Sequence, residues 1–149
     1  MKKLINRMHN GMIKVITGIR RSGKSYLLFR LFYRELLQRG VPADHILCLE
    51  LDRLENAQYR EPFRLLEYLR AKMALPGAYY ILLDEVQMLD RFEVVLNSLL
   101  HEPDVDIYVT GSNSKFLSKD VITEFRGRGD EFAGSAVSKN WPTSSKRWM

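Results

Sequence analysis

Short, mostly apolar runs rich in β-branched and aromatic residues recur along the chain at 12–17, 45–51, 79–86 and 105–110. Each is brief enough for a strand buried on both faces. The stretches between them carry helical periods instead. From Lys24 to Arg39 apolar groups (Tyr26, Leu28, Phe29, Leu31, Phe32, Tyr33, Leu36) cover much of the circumference, as in a helix packed on a sheet, and Gly40 with Pro42 ends it. Residues 62–74 place Phe63, Leu66, Leu69 and Met73 at spacings of three and four, with Pro62 suited to a first turn. Residues 91–101 carry Phe92, Val95, Leu96 and Leu99 on one stripe. The predicted order is β-α-β-α-β-α-β, and right-handed crossovers would gather its strands into one parallel sheet. After Phe132 the periodicity stops. Residues 133–149 are rich in Ser and small residues and read as a disordered or unrelated tail behind a core at 1–132.

Composition adds little to this picture except in its charge. The 149 residues suffice for one domain with a real core. A single cysteine, Cys48, excludes an internal disulfide and any cysteine-rich metal site. Cys48 is expected to pack in the sheet and the histidines to lie on the surface. No apolar run approaches a membrane span, and no secretory leader is recognisable, so a cytoplasmic setting is expected. The net charge of +5 owes three cations (Lys139, Lys146, Arg147) to the tail, which leaves about +2 for residues 1–132. A basic tail attracts polyanions without reading them, so nucleic acid is a possible partner that no reading element supports.

Chemistry enters at the end of the first strand, with Gly18-Ile19-Arg20-Arg21-Ser22-Gly23-Lys24-Ser25. Glycines let a loop curl so that several N–H groups converge on phosphate. The following helix adds its positive N-terminus. This is a P-loop in the context it requires: Lys24 for the β- and γ-phosphates of ATP, Ser25 for Mg²⁺ and Gly18, Ser22 and Gly23 around the curl. Arg20 or Arg21 is a weaker candidate for a phosphate contact. Asp84 and Glu85 end the apolar third strand, where open α/β sheets bind ligands. Asp84 suits Mg²⁺ and Glu85 a general base for water. Asn113, with Ser112 as its alternative, could hold that water after the fourth strand. Arg126 or Arg128, between glycines, could stabilise phosphate charge on this chain or a neighbour. Asp52-Arg53 leaves open a kinase-like acid, and guanine specificity is disfavoured because no Asn-Lys-x-Asp element occurs.

Val15–Ser25, Ile81–Gln87 and Tyr108–Ser118 together resemble the prokaryotic AAA-type ATPases in which an AAA domain precedes a DUF4143 region. The resemblance spans about residues 10–131. It implies a three-layer P-loop NTPase sandwich, Lys24 and Ser25 on nucleotide and Mg²⁺, Asp84 and Glu85 as the acid pair, and Asn113 as water sensor. A homo-oligomer or a partner protein is a possible assembly, in which an arginine could act on a neighbour's nucleotide. Members of that group continue into a fifth strand, a helical lid and a C-terminal domain. This chain has only Asp130-Glu131-Phe132 before its composition changes. The expectation is therefore a core incomplete at its C-terminal end, with no fifth strand and an unpaired edge on the P-loop strand. Such a module would bind ATP, hydrolysing it if competent or serving as a nucleotide-dependent switch if not.

Overall fold

The computed structural model describes residues 13–18, 23–112 and 129–132, together with Met8. Five strands form one parallel sheet: β1 (Ile13–Gly18), β2 (Ile46–Glu50), β3 (Tyr79–Asp84), β4 (Val105–Ser112) and β5 (Gly129–Phe132), in the spatial order β2-β3-β4-β1-β5. Helix α1 runs through Lys24–Tyr26, Leu27–Phe32 and Tyr33–Gln38, its middle turns wound wide enough for the Tyr33 N–H to reach Leu28 O. Among the described residues, helices α2 (Pro62–Lys72) and α3 (Phe92–Leu100) complete the main elements, and short 3₁₀ turns lie at Ala43–His45, Leu54–Arg60 and Val86–Met88.

Crossover handedness explains the layers. The chain leaves β1, passes beyond β4 and β3 to the far edge, and returns by way of β3 to β4. With right-handed connections the outward helix covers one face and the two returning helices cover the other. Accordingly Leu27, Leu28, Leu31, Phe32 and Leu36 of α1 pack on Ile16, Tyr80, Leu82 and Tyr108. Leu65 and Leu69 of α2 and Phe92, Val95, Leu96 and Leu99 of α3 pack on Val15, Leu49, Ile81, Leu83 and Val109 of the opposite face. Alternate residues of each strand serve the two faces.

Four expectations need correction. A fifth strand exists: Ile13 to Ile16 pair in parallel with Gly129 to Phe132, so β1 is bonded on both sides. Four residues of backbone suffice for a ladder, and an apolar pattern is not required. Phe63 is 72% exposed, because the buried stripe of α2 runs through Pro62, Leu65 and Leu69. His45 is buried, its ring stacked 4.1 Å from that of Tyr79 and its Nδ1 3.0 Å from Ala78 O. Cys48 is exposed, on a strand, β2, that lies at the edge of the sheet. Neighbouring protein and the Glu50 carboxylate still push its thiol up to about 12, so it stays protonated at neutral pH. Residues 133–149 lie outside the described residues.

Candidate nucleotide site

At the carboxyl ends of β1 and β3 a cleft of about 410 Å³ is lined by Gly23, Lys24, Ser25, Tyr26, Asp52, Asp84 and Glu85. Its size falls within the range of small-molecule sites, roughly 300–1,000 Å³. Gly23 opens α1 at φ 89°, a left-handed conformation that glycine adopts without cost. It turns Lys24 and Ser25 into the first helical turn, facing the end of β3. The Ser25 hydroxyl, 2.8 Å from both Asp84 oxygens, donates to that carboxylate. Lys24 is 3% exposed, and its Nζ lies 3.4 Å from Glu85 Oε2.

The third strand ends at Asp84, and Glu85 stands outside it at φ 54° and ψ 55°. A non-glycine residue there costs about 1–2 kcal/mol, so the surroundings must hold it. Thr110 on the neighbouring strand β4 does so. Its hydroxyl donates to Asp84 Oδ1 and accepts the Glu85 N–H at 2.9 Å. Gln87, on the turn that follows, donates from Nε2 to Glu85 Oε1 at 2.6 Å. Sequence reasoning assigned a role to neither Thr110 nor Gln87. The available signal for each was its place in a motif that carries the family resemblance, Thr110 within Tyr108–Ser118 and Gln87 at the end of Ile81–Gln87.

Asp84 is 4% exposed, and burial raises its carboxyl above the usual aspartate range. The Thr110 and Ser25 hydrogen bonds oppose that rise, while the carboxylates of Glu85 and Asp52 add to it. The folded protein therefore holds this proton more tightly than the unfolded chain does. Stability lost to its ionisation appears as pH climbs above the unfolded value, 3.8, and persists at neutrality. The prediction is that Asp84→Asn, without cation or nucleotide, melts higher than the parent at pH 7, with the gap closing toward pH 4 or below. Scanning calorimetry across that range checks it, and a lower midpoint at pH 7 contradicts the burial argument.

Asp52 reaches the cleft rim because the chain beyond β2 is tied down: Asn56 Nδ2 donates to Glu50 O at 2.8 Å and Arg60 Nε to Leu51 O at 2.7 Å. The cleft thus joins Gly23, Lys24, Ser25, Asp84 and Glu85 with an acid considered on other grounds. Gly18 ends β1 and is not among the described residues that line the cleft. Arg20, Arg21, Ser22, Asn113, Arg126 and Arg128 lie outside the described residues. The donors present fit Mg²⁺: one carboxylate and one hydroxyl, leaving the other positions to phosphate and water, as this ion prefers. Among the described residues no group of three or more His, Cys, Asp or Glu side chains could hold a metal by itself, and no helix is long and apolar enough to cross a membrane.

Comparison with known proteins decides the family. Residues 10–138 match the family described as an AAA domain. The chain belongs to the AAA domain family. Its membership makes this a P-loop ATPase-like module, in a family that uses nucleotide and typically Mg²⁺ and often oligomerises. An uncharacterized protein of Haemophilus influenzae is 32% identical over 151 aligned residues, covering 100% of this chain and 36% of that protein. An uncharacterized protein of Methanocaldococcus jannaschii is 33% identical over 132 residues, covering 85% of this chain and 28% of its own length. The chain thus spans about a third of the length of these curated relatives. Among solved structures, Caenorhabditis elegans PCH-2 superposes with a TM-score of 0.53 at 17% identity, over 88% of this chain and 36% of that one. That likeness supports the AAA domain's fold alone.

Proposed function

We propose that this AAA domain binds Mg²⁺–ATP in the cleft at the ends of β1 and β3 and hydrolyses it to ADP and phosphate. The observation that carries the reading is the meeting of Lys24, Ser25, Asp84 and Glu85, from two separated segments, around one cavity. Lys24 neutralises charge on the terminal phosphates. Ser25 and Asp84 hold the cation, which when bound draws charge from the phosphate oxygens. Glu85 accepts the proton of the attacking water, and phosphoryl transfer otherwise depends on positioning and electrostatics. Gly18, Ser22 and Gly23 line the phosphate curl, and Arg20 or Arg21 adds a contact to it. Asn113 orients the water, and Arg126 or Arg128 stabilises the transferring phosphate here or on a neighbouring copy.

Among the described residues the cleft sets three carboxylates, from Asp52, Asp84 and Glu85, against one ammonium, from Lys24. A polyanion therefore enters poorly unless a divalent cation accompanies it. Thermal unfolding tests both points. Ligand at a hundredfold excess over Kd adds about 2.7 kcal/mol, roughly 5–10 °C in a chain of this size. Mg²⁺–ATP is expected to raise the midpoint by that order. ATP with a chelator, or Lys24→Ala with Mg²⁺–ATP, is expected to leave it within about 1 °C. An equal rise in Lys24→Ala moves the binding site elsewhere.

A further inference from the structure

Resting on that reading, the geometry points to Gln87 as a positioning residue for hydrolysis, one that aims the Glu85 carboxylate once nucleotide has drawn Lys24 away. Glu85 has both oxygens engaged: Oε1 by the Gln87 amide at 2.6 Å and Oε2 by Lys24 at 3.4 Å. Its side chain is only 9% exposed. A base held this way is poorly placed to receive a water proton on either oxygen.

The two partners differ in kind. Lys24 belongs to the first turn of α1, and its flexible four-carbon stem carries an ammonium 3.4 Å from Glu85 Oε2. A triphosphate offers it a stronger partner at the same cleft. Its departure frees Oε2 and leaves Oε1 bound. Gln87 sits two residues from Glu85 on the Val86–Met88 turn, whose Met88 N–H bonds back to Glu85 O at 3.0 Å. It is not competed for by phosphate. A carboxylate tethered through one oxygen and open at the other has a fixed aim, and a general base requires that geometry before its basicity matters.

A cost elsewhere shows that the amide is held for its donor. Gln87 Oε1 is fully buried and, among the described residues, has no hydrogen-bond partner. An unpaired buried carbonyl oxygen is destabilising. A methionine of the same length would fill the volume without that penalty. Packing alone therefore does not explain a glutamine here, whereas an N–H group aimed at Glu85 Oε1 does.

The test compares parent, Gln87→Met and Gln87→Glu in the full chain. Multiple-turnover phosphate release gives kcat and KM, titration with a fluorescent ATP analogue gives affinity without turnover, and thermal unfolding confirms the fold. Methionine keeps the shape and removes the donor; glutamate keeps the shape and sets a like charge beside Glu85. Both are expected to lower kcat by about 10- to 100-fold, the usual range for misplacing a catalytic group. For Gln87→Met, KM and analogue affinity should stay within about twofold of the parent and the protein should melt no lower. Combining Gln87→Met with Glu85→Gln should lower kcat no further than Glu85→Gln alone, because both act through one group. Parent turnover with kcat unchanged in Gln87→Met overturns the positioning role, as does a parallel loss of affinity. A parent that binds the analogue and releases no phosphate overturns the hydrolase reading, and this inference with it.

Discussion

Replacing Glu85 by Gln is expected to reduce phosphate release by about 10²- to 10⁴-fold, the range attributed to a positioned general base, while Mg²⁺–ATP binding is retained. The substitution keeps the side chain's length and removes the oxygen that accepts a proton. It also removes the carboxylate that Lys24 approaches at 3.4 Å and Gln87 at 2.6 Å. A polyanion entering the cleft then meets one carboxylate fewer and a lysine released from its neighbour. Nucleotide affinity should accordingly hold or rise. Steady-state phosphate release beside equilibrium binding of a fluorescent ATP analogue separates the two effects. Turnover within threefold of the parent would place the base elsewhere, with Asp52 on the opposite rim as the next carboxylate to test. Equal losses of binding and turnover would show that Glu85 supports the cleft rather than the chemistry.

The second large effect lies away from the cleft. Lys14 and Asp106, 0% and 2% exposed, meet at 2.5 Å beneath α1. The buried Tyr108 hydroxyl donates to the other Asp106 oxygen at 2.7 Å, and Lys14 Nζ stands 5.1 Å from the centre of the Tyr108 ring. Burial, reinforced by the Asp106 carboxylate, pushes the tyrosine hydroxyl far above its ordinary range, so it remains a donor. Asp106→Ala deprives a buried ammonium and a buried hydroxyl of this carboxylate. Breaking one side of such a pair costs about 3–5 kcal/mol, which lowers the melting midpoint by roughly 6–20 °C in a chain of this size. Chemical denaturation and calorimetry measure it. The double variant Lys14→Met with Asp106→Leu should recover most of the loss, since a packed apolar pair avoids desolvating charge. A single-variant cost below about 1 kcal/mol would mean that water or another partner reaches the ammonium. Because Lys14 lies near the start of β1 and the cleft at its end, any Asp106→Ala protein that remains folded should keep the nucleotide-dependent rise in midpoint.

Much of the cleft could be read from local spacing. A strand, a glycine-bounded loop and a helix in immediate succession leave Gly23, Lys24 and Ser25 little choice of position, and an apolar run ending in Asp84-Glu85 has its acids at the sheet's carboxyl edge. The stripe Phe92, Val95, Leu96 and Leu99 was legible for the same reason: a helical period reports which side of an element is buried. The stripe of α2 misled at its start: Leu69 is buried and Leu66 and Met73 pack against the core as read, but Pro62 and Leu65 are buried where Phe63 is exposed, and only the docked helix distinguishes two adjacent apolar lines.

Partners drawn from distant segments were beyond that kind of reading. Thr110 bonds Asp84 and Glu85 because β4 lies beside β3, and Lys14 meets Asp106 because β1 lies on the other side of β4. Strand order and register come from crossover handedness and the packing of helices on both faces, which no window of sequence contains. The same holds for β5, whose four residues pair with β1, and for His45, buried by its stacking on Tyr79. Chain-local geometry and side-chain chemistry were enough to bring Gly23, Lys24 and Ser25 to one cleft with the acid pair Asp84 and Glu85. The hydrogen bonds that aim those groups exist only once the sheet has assembled, because each joins atoms whose separation is set by the whole fold.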